Sequence, residues 1–149
     1  MSVREASLTD VDLIAPLFDA YRVFYEETSD LDAARACIRE NLTLGRSTIF
    51  VFIDGREVLG FTQLYPAFCS VAMKPFYILY DIYVLAEARE RGIGCTLLQH
   101  AHTWAREQGA FRIDLETAHT NIRAQSIYEK LGYELDTTFR KYSLDVVST

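Results

Sequence analysis

The 149 residues contain only three cysteines, Cys37, Cys69 and Cys95. They are widely spaced and odd in number, which suits reduced thiols better than a disulfide framework or a CxxC metal site. Proline is as scarce, with three residues against seven glycines, and no Pro/Gly-rich linker, repeat or low-complexity tract divides the chain. A single domain over residues 1–149 is therefore expected. No apolar run approaches the roughly 18 residues of a membrane span. The opening MSVREASLTD also lacks the basic and then apolar layout of a signal peptide, so a cytoplasmic protein without a membrane partner is expected.

Basic residues are outnumbered, 15 Lys and Arg against 21 Asp and Glu, for a net charge of −6. Phosphate binding relies on clustered cations, so the balance argues against a nucleic-acid partner. It favours cationic substrates only weakly, because mild acidity also serves solubility. His100 and His102 stand two apart on a helical pattern, where their side chains diverge, and no metal is expected. What is present is apolar: half of the residues are hydrophobic, enough at this length for a core that needs no staples.

Val3 to Glu5 reads as a first strand, followed at Thr9 or Asp10 by a helix start whose side chain can accept from orphan amides. Ile14, Leu17, Phe18, Tyr21, Phe24 and Tyr25 follow at helical spacing. Ser29 and Asp30 cap a second helix with Leu31, Ala34, Ile38 and Leu42 on one stripe. The runs IFVFI and VLGFTQLY around Asp54-Gly55 predict a hairpin. A loop containing Pro66 and Pro75 then leads to FYILYDIYVL, a central strand apolar on both faces.

Ile93, Leu97, Leu98, Ala101, Trp104 and Ala105 make the next helix amphipathic, with Gly109 at its end. FRIDLET alternates as a strand, Asn121 to Leu131 is a short helix closed by Gly132, and Tyr133 onward supplies one or two last strands. The fold expected is α/β, in the order β-α-α-β-β-β-α-β-α-β-β, with helices on both faces of a mixed sheet.

Between the central strand and the amphipathic helix lies Arg89-Glu90-Arg91-Gly92-Ile93-Gly94. Two glycines there permit close backbone approach, and a helix N-terminus offers unsatisfied amides and a positive dipole to a phosphate. Alone, a G-x-G turn is weak evidence. It is neither a P-loop nor a dinucleotide fingerprint, whose third glycine is replaced here by Leu97.

The spacing Arg89-x-x-Gly92-x-Gly94 resembles the R/Q-x-x-G-x-G/A signature with which GNAT acetyltransferases hold the pyrophosphate of coenzyme A. Asn121-x-x-Ala124-x-x-x-Tyr128-x-x-x-Gly132-Tyr133 resembles the later helix of that family, and the likeness extends over nearly the whole chain. Tyr80-Asp81-Ile82-Tyr83-Val84 is similar to the diamine and spermidine/spermine branch. Ala86 replaces a frequent proline, and Glu90 stands where many relatives have glycine. Glu90 is expected to point outward and contribute its amide, since a carboxylate beside pyrophosphate is unfavourable.

The resemblance implies acetyl-CoA as cosubstrate. Backbone near Ile82, Tyr83 and Val84 would face pantetheine and acetyl, and Arg89, Glu90, Arg91, Gly92, Ile93, Gly94 and Cys95 would surround the pyrophosphate. Cys95 fits as a small residue beneath the loop. Asn121 and Tyr128 would approach the pantetheine arm and the sulfur, with Tyr128 as general acid, although Ile127, Tyr128 and Leu131 also form a plausible buried stripe.

For the base, Tyr80 occupies the place of a glutamate in polyamine-acetylating relatives, and Asp81 adjoins it. The two point to opposite faces of a regular strand unless a bulge intervenes. Asp81 would serve as base, anchor a cationic acceptor or cap a strand edge; a water-mediated base is a further alternative. Tyr21, Phe24 and Tyr25 offer an aromatic surface to an amine, with core packing the stronger reading for Phe24.

The expected activity is direct acetyl transfer to a small primary amine such as a polyamine, amino acid or related metabolite. The alternatives are acetylation of protein lysines or N-termini and a noncatalytic acyl-CoA-binding module. A homodimer is also expected.

Overall fold

The β-branched and aromatic runs assemble into one five-stranded sheet in the spatial order β1-β2-β3-β4-β5. The computed structural model describes residues 1–148, which cluster into two compact units, Met1–Glu116 and Thr117 onward. In the first unit β1 (Ser2–Glu5) leads through a 3₁₀ turn (Leu8–Asp10) to α1 (Val11–Phe24) and α2 (Leu31–Leu44). The chain continues through β2 (Thr48–Asp54), β3 (Glu57–Cys69), β4 (Lys74–Val84), a second 3₁₀ turn (Ala86–Ala88), α3 (Ile93–Glu107) and β5 (Ile113–Asp114). Neighbouring strands are antiparallel as far as β4, and β5 runs parallel to β4. The mixed sheet expected from the sequence is therefore present.

Alternation along β2 decides what each face meets. Ile49 and Val51 join Ile14, Leu17, Ile38 and Phe61 in the core beneath α1 and α2. Phe50 points the other way, its ring 4.8 Å from His100 and 5.4 Å from Trp104 of α3. Helices thus cover both faces. Among the described residues no helix is long and apolar enough to cross a membrane.

Asp10 stands at the N-cap of α1, but its side chain makes no capping bond to that helix. Its carboxylate accepts from the Ser7 amide at 2.8 Å and takes the Arg4 guanidinium fork at 2.7 and 2.8 Å. Those bonds close the turn before the helix, and the Arg4 hydrogen bonds hold its pKa below the ordinary carboxylate range. Asp30 does cap α2, accepting from the Ala33 amide at 3.1 Å.

Gly60 sets the height of α3 over the sheet. A Cβ there would lie 3.1 Å from the Tyr83 carbonyl oxygen and 3.3 Å from both Ile93 Cγ2 and Leu97 Cδ1. A side chain there would require the Tyr83 carbonyl or the start of α3 to shift by a few tenths of an ångström. Gly60→Ala is expected to lower unfolding free energy by about 1–3 kcal/mol through overpacking. Urea titration with an unchanged midpoint would refute this close approach.

Three expectations are corrected. The loop around Pro66 and Pro75 is instead hairpin, because β3 pairs with β4 from Gly60↔Val84 to Cys69↔Lys74. β2 begins at Thr48, opposite Leu64, so Pro66 lies where β3 has become an edge and proline is tolerated, while Pro75 falls at the start of β4. The strand read over FRIDLET shrinks to Ile113–Asp114, paired only with Tyr77 and Ile78. That pairing stops just before the bulge at Tyr80 described below, and bulges bend a strand.

The third correction concerns the second unit. Asn121 Oδ1 accepts from the Ala124 amide at 3.1 Å and caps α4 (Ile122–Lys130), and Gly132 at φ 99° follows the helix. Residues 133–148 form no strand. Asp136 takes the Thr138 amide at 2.9 Å and Asp145 the Val147 amide at 2.9 Å. These local turns compete with ladder bonds despite the alternating pattern.

Candidate active site

β4 has one more residue than its partner can match. Gln63 pairs with Asp81 and Leu64 with Leu79, so Tyr80 bulges out of the ladder. Tyr80 is 66% exposed and Asp81 only 4%. The strand is thus not apolar on both faces. The bulge settles how adjacent residues divide: the Tyr80 ring leans edge-on against Tyr65 at 5.9 Å, and Asp81 turns inward.

Asp81 has polar neighbours and no cation among them in the described residues. Its Oδ2 accepts from Gln63 Nε2 at 2.7 Å, and its main-chain oxygen accepts from Thr62 Oγ1 at 2.8 Å. Burial pushes its pKa above the ordinary value, against the opposing hydrogen bonds of Gln63 and Tyr21. The single Tyr21 O–H also lies 3.1 Å from the Tyr80 carbonyl oxygen, so its one proton is shared between the two acceptors.

The Tyr21 ring meets Tyr25 edge-on at 5.0 Å and Tyr83 at 6.2 Å. The structure therefore gathers Tyr21, Tyr25, Tyr80, Asp81 and Tyr83 in one region of the sheet face under α1. Phe24 packs on Tyr25 at 5.3 Å but is largely exposed. A sole role in the core, the reading favoured from sequence, is corrected, because α1 ends at Phe24.

Immediately beyond β4 comes the glycine loop. Glu90 at φ 65° and Gly92 at φ 76° are left-handed, and Gly92 is the N-cap of α3. This backbone reverses the chain and leaves the first-turn amides of α3 without intrahelical acceptors. A Cβ built on Gly92 or Gly94 meets nothing within 4 Å, so the glycines leave open space beside the amides. Such a loop can hold a phosphate.

The Glu90 side chain is exposed. Arg89 donates from Nε to the Val84 carbonyl at 3.0 Å and lies 5.4 Å over the Tyr83 ring. Arg91 leans elsewhere, 3.8 Å from Asp54. Ile93 is buried and anchors α3, and Cys95 is half-buried beside it. Ile82 and Val84 pair with Thr62 and Gly60 in the ladder. No three His, Cys, Asp or Glu side chains gather as a metal site among the described residues.

In the second unit Asn121 is the helix cap. Tyr128 is half-buried on α4, with its ring edge-on to Tyr133 at 5.8 Å. Burial drives the Tyr133 phenol well above its ordinary range.

Gln63, Asn41 and Ser47 escaped the sequence reading. Their signal was present: an amide in the middle of the apolar run VLGFTQLY, and Asn41 one place from the apolar stripe of α2. All three are buried.

The acetyltransferase (GNAT) family model matches residues 14–133. An uncharacterized N-acetyltransferase of Bacillus subtilis, YhfO, is 45% identical, with 98% of each chain covered. A probable acetyltransferase of Haemophilus influenzae is 25% identical over 98% of this chain and 99% of its own. A solved structure described as a probable acetyltransferase superposes with a TM-score of 0.92 at 40% identity, covering 98% of each chain. None of these descriptions specifies a polyamine, so the diamine and polyamine branch suggested by Tyr80 to Val84 gains no support from them. With most of its length matched by the family model and a close relative along almost all of it, this chain belongs to the GNAT family of acetyltransferases.

Proposed function

We propose that the protein transfers the acetyl group of acetyl-CoA directly to a small primary amine, with both substrates bound together. The observation that carries this reading is Asp81, a buried carboxylate whose pKa is raised by burial, with tyrosines around it and no cationic partner among the described residues, on the strand that leads toward the glycine loop. A base works best with a pKa near the operating pH, and burial moves a carboxylate in that direction. The surrounding rings suit the methylenes and charge of an amine.

The glycine loop fits the phosphates of the cosubstrate, because its open space lies beside helix-terminal amides. Residues 90 to 95 would hold them mainly by backbone, with Arg89 adding charge, while the strand backbone from Ile82 to Val84 would face the pantetheine arm. Acetyl-CoA supplies an activated thioester. Asp81 accepts the proton lost by the amine as nitrogen bonds to the acetyl carbon and the carbon–sulfur bond breaks. Tyr128 donates its phenolic proton to the departing sulfur, and net transfer yields an amide and a free thiol.

Free-thiol release from acetyl-CoA, measured against polyamines, amino acids and lysine peptides, tests the proposal. Turnover with a small amine is expected. Turnover confined to peptides would favour a protein acceptor, and none with any amine would favour a binding module. Gly94→Val tests the loop separately, since the position has neither a left-handed φ nor a neighbour to strike. The variant should stay folded and bind coenzyme A about tenfold to a hundredfold more weakly, as expected for one lost charged hydrogen bond. Unchanged affinity by calorimetry would remove the loop from the site.

A further inference from the structure

We propose that Gln63 is a positioning residue for Asp81, its amide locked in one orientation by a directional hydrogen-bond chain that begins at Arg46. The inference deepens the reading of Asp81 as base and rests on it.

The chain can be read from its two ends. A guanidinium only donates, and an ionised carboxylate only accepts. Arg46 Nη1 donates to Asn41 Oδ1 at 3.1 Å, which leaves the Asn41 Nδ2 group to donate, and it does so to Gln63 Oε1 at 2.9 Å and to the Tyr65 hydroxyl at 3.1 Å. Ser47 Oγ adds a second donor to Gln63 Oε1 at 2.7 Å. With its oxygen held by two donors, the Gln63 amide must present Nε2 to Asp81 Oδ2, at 2.7 Å.

Amide orientations are fixed by such networks, and here both ends agree on one assignment. Gln63, Asn41, Ser47 and Asp81 are all buried, so flipping either amide would set donors against donors without water to compensate. The other end reaches the surface, where Arg46 pairs with Glu40 at 3.0 Å.

This arrangement does two things for a base. It points one carboxylate oxygen at a donor and so fixes the rotation of the group. It also stabilises the ionised form, which limits how far burial can raise the pKa.

The titratable and charged groups around Asp81 come from four elements and the loop after α2. α1 contributes Tyr21 and, beyond it, Arg22 and Tyr25 at its end; α2 contributes Cys37 and Glu40, with Arg46 just after the helix; β3 contributes Tyr65, and β4 contributes Tyr80 and Tyr83. Cys37 and Tyr65 are pushed up chiefly by burial and also by the Asp81 charge. Gln63 is therefore the neutral donor on which the ionised state depends most directly.

The experiment compares Gln63→Met and Gln63→Glu with the intact protein. Carboxyl-carbon NMR titration of Asp81 follows its proton without any turnover. The ratio of variant to wild-type kcat/KM across pH cancels the titration of the amine itself. In Gln63→Met the Asp81 midpoint should rise by about one pH unit or more, a roughly tenfold loss of rate on the acidic limb. Gln63→Glu still accepts from Ser47 and Asn41 and so guards against misfolding. Its carboxylate and that of Asp81 should share a proton and titrate as a pair, with one step displaced upward.

An unchanged Asp81 titration in either folded variant overturns the proposal, even if stability has fallen. If the midpoint moves but Asp81→Asn leaves turnover intact, the positioning stands and the reading of Asp81 as base fails.

Discussion

Asp81→Asn should lower kcat/KM by about two to four orders of magnitude while leaving the protein as stable at neutral pH as before, or more so. The two halves of this result have one cause. Burial raises the folded-state pKa of Asp81 above its ordinary 3.8. Between that value and the raised one the folded chain holds more protons than the unfolded chain, so stability falls as pH rises through the window. At neutral pH the ionised group is a net burden on the fold, and replacing it with an amide removes the burden. The amide oxygen can still accept from Gln63 Nε2.

The activity half separates catalysis from packing. A structural Asp81 would lose stability on substitution and keep its turnover once folded. Acetyl-CoA affinity should change little, because the glycine loop and the Asp81 carboxylate are separate groups. Urea unfolding at pH 7, run beside thiol-release kinetics, reads both halves. Wild-type kcat/KM in a stable Asn variant would remove Asp81 from the chemistry.

The sequence disclosed what depends on local pattern. The stripe of Ile93, Leu97, Leu98, Ala101 and Ala105 returns as the buried face of α3, and Asp54-Gly55 returns as the β2–β3 turn, with Gly55 at φ 63°. It did not disclose what depends on pairing. The alternation of FRKYSLDVV reads as a strand, yet a strand also needs a partner, and no ladder forms among residues 133–148.

The site was divided in the same way. The glycine loop is contiguous in sequence and could be recognised there, whereas Asp81 acquires its character from residues far along the chain. Tyr80 and Asp81 are both candidates in the sequence, and only the register places a bulge between Leu79 and Asp81 that turns them differently. Gln63 and Asn41 lie 22 positions apart. Each is an ordinary amide until the fold brings them together.

Tyr128→Phe should reduce kcat by about a hundredfold to ten-thousandfold with acetyl-CoA affinity nearly unchanged, the size of effect associated with a lost general acid. The second unit offers two phenols in contact, Tyr128 and Tyr133, 5.8 Å apart, and physical chemistry distinguishes them. Burial holds the Tyr133 proton far more tightly than an ordinary phenol would, and a weaker acid transfers its proton less readily to a developing thiolate. Tyr133→Phe should therefore act mainly on stability, whereas Tyr128→Phe should act on turnover. The phenyl ring preserves the edge contact in both variants, so packing does not account for a difference between them. Thermal unfolding run in parallel identifies any loss from an unsatisfied hydroxyl partner. Near-normal kcat in a stable Tyr128→Phe protein across the pH range would return Tyr128 to a packing role and leave the sulfur to take its proton from solvent.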